Sequence, residues 1–491
     1  MIIVVEILSL NDALTYGLKF AEKSGADQIE GYSCNTQEIA INVEKIIPTI
    51  TNGVSTGISF RVVANSNTGF AYTKTLTKER IEFTIKTALQ NAKAKGKDPD
   101  FKTLPNPSKK KAEKFEFDKK LESITSDQMA EDLSTLISTI DDTKDLHYLQ
   151  GQIYLSISDE HLINSNGIDI QSKGGGLGGY GVAITTKGLI PNYSFGIKGS
   201  PSTKQFKIDD IINETITQTK RAAGPKTMNF LKEVPVILEP EASLGVLGSL
   251  LQILSNQLNG NNVASGATPY SDQVGNQIAV DNFTFVDNGI NSSKLFHGNF
   301  DAEGVPREKT ILVENGILKT FLLDTYYGNK LGLESNGKST RGGGIFGFGT
   351  DPVKSLPSIS TNSLEVLPGN SSRDEMIEET KEGFMLRTLM GLHMSDQSSG
   401  RFSVTGFGWY IKNGEIKYPV HGIDISGMLP DLLKSIDLIS KEREEMILAD
   451  APYIRFANVP VTTKKFDLKT RLGLGLIKVL TSLKLIKNPL F

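Results

Sequence analysis

The residues of this chain that could carry chemistry are five histidines, one cysteine and a few carboxylate-bearing turns. His147, His161, His297, His393 and His421 are too far apart to form a ligand pair on one helix face. That spacing favours unrelated surface or strand histidines over a metal site. His393-Met394-Ser395-Asp396-Gln397-Ser398 holds the residue types of a Ser/His/Asp set. A triad converges from separate elements, however, and no Gly-x-Ser-x-Gly is present to expose a nucleophile. A polar loop lining a cleft is the better reading. Asp301 and Glu303 have the look of an acid–base pair. With Gly304 and Pro306 beside them, a turn held by local hydrogen bonds explains them equally well. The run Gly174–Gly181 lacks a following Gly-Lys-Ser/Thr, so it reads as closely packed or kinked strand rather than phosphate loop.

The elements that position these groups follow from periodicity. Ser9 or Asn11 caps a first helix with Leu14, Leu18 and Ala21 on its apolar face. Strands follow at Ile39–Val43 and Ile58–Val62. The turn at Asn65–Gly69 leads into Gly69-Phe70-Ala71-Tyr72-Thr73, and a second helix carries Ile81, Ile85, Ala88, Leu89 and Ala92. Lys95–Lys120, rich in Lys and Pro, is expected to be a solvated connector. A helix at Met129–Ile140, strands at Tyr148–Ile157, a turn at Asn164–Gly167 and a helix at Ile208–Arg221 complete the first half. Ala222–Pro225 marks its boundary.

The second half opens with the alternating strand Val234, Val236, Leu238. A Glu-Pro-Glu turn follows, then a helix with Leu244, Leu247, Leu251, Leu254 and Leu258 as one apolar stripe. Two Asn-Gly hairpins are expected, at Asn315-Gly316 and Asn413-Gly414, because both turn residues need positive φ. Ile423-Asp424-Ile425 reads as the last strand, with a short helix after Pro430. The tail Lys464–Phe491 is a basic amphipathic helix, and both a membrane surface and docking on protein are open to it.

At 491 residues the chain exceeds one ordinary domain, and a hydrophobic content of 38% supports real cores. The expected domains are 1–225, 226–463 and the tail 464–491. The fold class is α+β: an N-terminal domain with a large antiparallel sheet and helices, then a β-barrel-like or sandwich C-terminal domain. A net charge of −3 offers nothing for nucleic acid. A single cysteine, Cys34, excludes an internal disulfide framework and fits a reduced, cytoplasmic setting. The start, MIIVVEILSL, has no positive n-region, and reads as strand or helix rather than signal peptide.

Several passages together carry a resemblance. They are Phe300-Asp301-Ala302-Glu303-Gly304-Val305-Pro306, the Glu314-Asn315-Gly316 hairpin, and the run from Phe402-Ser403-Val404 to Asn413-Gly414. With the Gly69–Thr73 passage and the strand–helix at Val234–Leu258, they make residues 10 to 463 resemble the TldD/PmbA family, also called modulator of DNA gyrase. Catalytic members carry His-Glu-x-x-x-His on the central helix, where imidazoles bind zinc and a glutamate activates its water. Here the corresponding window, Gly248-Ser249-Leu250-Leu251-Gln252-Ile253, has no His, Cys or acid. Ala451–Thr463 lacks the cysteine that catalytic relatives use as a third ligand. The chain thus resembles the PmbA/TldE branch, which lacks the zinc motif.

The resemblance implies a non-catalytic subunit of a heterodimeric zinc metalloprotease that processes or degrades peptides and unfolded proteins. It implies a TldD-like catalytic partner holding the zinc, no cofactor in this chain, and Asp301, Glu303, His393, Ser395 and Asp396 as residues lining a substrate cleft. A stand-alone peptide-binding homodimer and a hydrolase with an unrecognised site are the alternatives.

Overall fold

The computed structural model describes residues 6–44, 47–240, 246–345, 348–390, 395–445, 447, 449–467, 469–470 and 472–474. Strands β1 (Gln28–Glu44), β2 (Ile47–Ala64), β3 (Asn67–Thr73), β4 (Leu146–Asn164), β5 (Asp169–Thr185) and β6 (Asn192–Ser200) form one sheet. Their order is β3–β2–β1–β4–β5–β6, antiparallel throughout. Because strand side chains alternate between faces, Ile29, Ile39 and Ile41 of β1, Phe60 of β2 and Ile153 and Leu155 of β4 share one face. Helices α1 (Leu10–Lys23), α2 (Lys78–Ala94), α3 (Ser126–Asp141) and α4 (Ile208–Arg221) cover that face in two apolar cores.

Local chemistry sets these helices. The Ser9 hydroxyl accepts the Asp12 N–H at the start of α1, and Thr125 with Gln128 forms a capping box on α3. Gly69 lets α2 lie directly on β3, since a Cβ there would stand 1.9 Å from the Ala88 carbonyl oxygen. The connector is not wholly free. Asn106–Lys111 is exposed, but Leu104 is buried, and its N–H donates to Gln28 Oε1 at 2.7 Å. The side-chain amides of Asn164 and Asn166 hold Leu104 and Pro105 to the β4–β5 turn.

The second domain begins with β7 (Phe230–Leu238), followed by α5 (Val246–Gln257), α6 (Gly260–Ala264), β8 (Phe285–Asn288), β9 (Lys309–Glu314), β10 (Ile317–Leu318) and α7 (Thr325–Leu331). Residues 241–245, including Leu244 of the expected stripe, lie outside the described residues. A ten-stranded sheet organises the domain, which is sandwich-like; the chain as a whole is α+β. Both Asn-Gly turns form as expected, with φ of 50° and 78° at Asn315-Gly316 and 53° and 75° at Asn413-Gly414.

One expectation fails. Ile423–Ile425 does not end the sheet, because strands Ile436–Glu445 and Ala449–Thr463 follow it. Ala449–Thr463 is central: it pairs with β7 on one side and with Glu415–Met428 on the other. It escaped periodicity because it is almost wholly buried and holds Pro452 and Pro460, residues that argue against an interior strand. A register shift between Phe456 and Val459 interrupts its ladder with β7. Nearby in the same domain, 343–345 pairs with 348–350.

The second domain docks on the helix-free face of the first sheet. Tyr32, Cys34, Leu162 and Ile168 cluster with Val353, and Phe195 and Ile197 with Ile447 and Leu295.

Candidate functional site

The window that would hold a zinc motif lies on α5. Ser249 is buried, and Ile253 is fully buried in the apolar core that also contains Leu250, Leu254, Phe283, Leu433 and Phe456. Gly248 supplies no side chain. A zinc site needs imidazole, thiolate or carboxylate donors, and this window presents none, so its residues do not fit the metal.

The acid before α5 is also committed. Glu239, at the end of β7, accepts from Arg221 Nη1 at 2.8 Å and from Arg387 Nη1 at 2.9 Å. Arg387 Nη2 reaches Glu214 on α4 at 2.8 Å, so this network ties the two domains together. The Arg221 guanidinium also sits 4.5 Å from the Trp409 ring centroid. Glu239 therefore acts as an ion-pair partner, with no free oxygen poised as a base.

His393 lies outside the described residues. Its expected neighbours build a surface turn. Asp396 Oδ1 accepts the Ser398 and Ser399 N–H groups, and its Oδ2 accepts the Ser399 hydroxyl at 2.7 Å. These hydrogen bonds, the Ser399 hydroxyl foremost, hold the Asp396 carboxyl below its ordinary value. Ser395 Oγ accepts the Ser403 N–H instead of meeting Asp396. Asn256 and Gln257 at the end of α5 bind Gln397 and Ser398, so the loop is docked against that helix.

Asp301 and Glu303 are brought to a buried seam between the domains. Asp301 closes its own turn: Oδ1 accepts the N–H groups of Glu303 and Val305, and Oδ2 accepts that of Ser339. Burial, with the Glu303 charge nearby, pushes its carboxyl up to about 7. Glu303 faces across the seam. Its Oε1 takes Arg61 Nη1 at 2.9 Å and its Oε2 the Thr325 N–H at 2.9 Å. Burial opposes its charge, yet Arg61 and the Thr325 N–H hold it below the ordinary glutamate value.

Arg61 lies directly opposite Glu30 in the β1–β2 ladder and bonds it at 2.7 Å, while Arg341 binds the other Glu30 oxygen. Two cavities flank the Phe300–Pro306 loop. One, of about 110 Å³, is lined by Tyr32, Glu160, Asp301, Arg307 and Arg341. The other, of about 650 Å³, lies between the Lys95–Pro105 segment and the α7 region and includes Arg61, Glu303 and Asp324. Asp324 caps α7 by accepting the Tyr327 N–H at 2.8 Å. Burial, then Glu303, pushes its carboxyl up to about 6.

Arg61, Glu30, Arg341 and Asp324 had no signal as sites in the sequence. Only the period-2 alternation, which points Glu30, Tyr32 and Arg61 away from the helices, would have placed them on the domain-facing side.

The other histidines do not converge, and no group of three or more His, Cys, Asp or Glu able to hold a metal occurs among the described residues. His161 bridges Asn11 and Asp169, and His297 Nδ1 contacts the Lys294 carbonyl at 2.6 Å. Cys34 is buried, and burial pushes its thiol up to about 11. No helix among the described residues is long and apolar enough to cross a membrane.

Residues 231–463 match the family model of the PmbA/TldA metallopeptidase C-terminal domain, and residues 44–92 that of PmbA/TldA metallopeptidase domain 1. The chain is 25% identical over 401 residues to an uncharacterized protein of Methanocaldococcus jannaschii, covering 81% of this chain and 88% of that one. It is 29% identical over 227 residues to metalloprotease PmbA of Escherichia coli O157:H7, covering 46% of this chain and 45% of that one. The fold superposes on the crystal structure of TldE from Thermococcus kodakarensis with a TM-score of 0.80 and 25% identity, over 92% of this chain and 100% of that one.

Proposed function

The chain belongs to the PmbA/TldD metallopeptidase family, and from that premise we propose that it is the non-catalytic subunit of a cytoplasmic two-subunit zinc metalloprotease. In this reading a TldD-like partner holds the zinc and performs hydrolysis. This chain completes a chamber that admits peptides and unfolded proteins. The observation that carries the reading is the α5 window, where Gly248, Ser249 and the buried Ile253 offer no metal donor.

A feature of the first sheet suits the handling of extended chains. β3 pairs with Ile58–Ala64 of β2, and among the described residues nothing pairs with that edge over Ile47–Gly57. Ile50 and Val54 there are exposed. Such an edge can accept an extended peptide by strand addition.

The test is affinity purification of this chain from its host, with mass spectrometry of what accompanies it, followed by peptide-cleavage assays. A homologue bearing His-Glu-x-x-x-His is expected in near-equal amount, with chelator-sensitive cleavage by the complex and none by the isolated chain. Recovery of a homomer alone would overturn the reading in favour of a peptide-binding homodimer. Cleavage by the isolated chain would overturn it in favour of a hydrolase in its own right.

A further inference from the structure

The last described strand ends at Thr463, where the match to the family model also ends. The chain that follows is pinned at its root. The Lys465 N–H donates to Asn229 Oδ1 at 2.9 Å, the Phe466 N–H donates to Thr227 Oγ1 at 3.3 Å, and the Phe466 ring meets His421 edge-on. Asp467 then starts a helix. Its Oδ1 accepts the Thr470 N–H at 2.7 Å, as an N-cap does, and residues 469–470 and 472–474 are helical. This first turn stands clear of the body: Leu472 is 65% exposed, and a Cβ on Gly473 would meet nothing within 4 Å.

The sequence beyond it has one character. Leu468, Leu472, Leu476, Val479, Leu483 and Ile486 recur at intervals of three and four, which on a helix draws one apolar stripe. Lys469, Arg471, Lys478, Lys484 and Lys487 are interspersed, and no acid follows Asp467. At 3.6 residues per turn, Lys469, Lys484 and Lys487 fall on one flank of the stripe and Arg471 and Lys478 on the other. An apolar stripe with cations on both flanks complements a continuous anionic surface with an apolar layer beneath it. Each cation near such a surface contributes about 1 kcal/mol. The cations interrupt the run too often for it to cross a bilayer. Lys464–Phe491 holds seven of the chain's 53 basic residues and one of its 56 acids, so the body carries more negative charge than the net −3 suggests. An anionic surface repels that body and attracts only this segment.

We propose that residues 468–491 bind an anionic lipid surface as an amphipathic helix, with Lys464–Asp467 as the hinge that holds the body off the lipid. The segment lies beyond the family match, and its role does not depend on a catalytic partner.

Flotation of the full chain with phosphatidylcholine vesicles, with and without about one third phosphatidylglycerol, tests it. Binding to the anionic vesicles is expected to be about tenfold or more tighter than to the neutral ones, and to weaken about tenfold between ~0.1 and ~0.5 M salt. Two full-chain variants, Leu476→Glu with Leu483→Glu and Lys478→Glu with Lys484→Glu, should each lose that binding and keep the native thermal midpoint. Failure to float with the anionic vesicles, equal affinity for neutral ones, or undiminished binding by either variant would overturn the proposal. So would a lowered thermal midpoint of the leucine variant without lipid, which would put the apolar stripe on the chain's own body.

Discussion

Asp324 and Glu303 face the same guanidinium and respond in opposite directions. Glu303 holds Arg61 and the Thr325 N–H, so its charge is stabilised; Asp324 is buried beside that charge and its carboxylate is disfavoured. For Asp324 the folded value, about 6, lies above the unfolded value. The folded state therefore binds the extra proton, and the resulting stability is complete below ~3.9 and lost as pH rises through about 6. Replacing Asp324 by Asn removes the charge and keeps the cap. That variant is expected to be more stable than the native chain above pH ~6, by roughly 2–3 kcal/mol, with the advantage vanishing below pH ~4. Urea melts at several pH values check this, and a difference independent of pH would contradict it.

At the scale of elements, α5 packs into the core and presents no metal donor over Gly248–Ile253. Leu247, Leu251, Leu254 and Leu258 form the buried stripe that seats it in the apolar core of the second domain. Introducing His-Glu-x-x-x-His as Gly248→His, Ser249→Glu and Ile253→His would drive a polar ring into the space of a fully buried isoleucine. The triple variant is expected to lose about 3 kcal/mol or more of stability and to bind no stoichiometric zinc. Thermal melts and metal analysis after dialysis decide it. Retention of one zinc per chain would show that α5 can support such a site.

Across the whole molecule, among the described residues, two buried charged seams and two apolar contacts join the domains, beside the more exposed ion pairs Lys74–Asp351, Lys110–Glu308 and Lys330–Asp100. One seam joins Arg61 and Glu30 to Glu303 and Arg341, and the other joins Glu214 and Arg221 to Glu239 and Arg387. Removing one partner of a buried pair leaves the other charge uncompensated, which typically costs about 3–5 kcal/mol. Arg61→Met is expected to destabilise the chain by that amount and to split its thermal unfolding into two transitions, as the domains lose their coupling. Adding Glu303→Gln should recover part of the loss. Scanning calorimetry reads both effects; an unchanged single transition in Arg61→Met would mean that the second seam and the apolar contacts suffice to couple the domains.

What the sequence by itself determined was whatever depends on neighbours along the chain. Helix Ile208–Arg221 and the stripes of α1 and α3 follow from spacing, and the Asn-Gly turns from the positive φ that their residues tolerate. The lack of donors in Gly248–Ile253 needs no coordinates at all. Tertiary structure decided what depends on groups far apart. Arg61 and Glu303 are 242 positions apart, and Glu30 and Arg341 are 311 apart, so no local pattern could join them. The same distance hid the site: Asp301 and Glu303 were legible as a turn with two acids, but the partner that commits Glu303 and the cavity beside it come from the other domain. Strand Ala449–Thr463 was hidden for a related reason, since burial on both faces removes the alternation by which a strand is recognised.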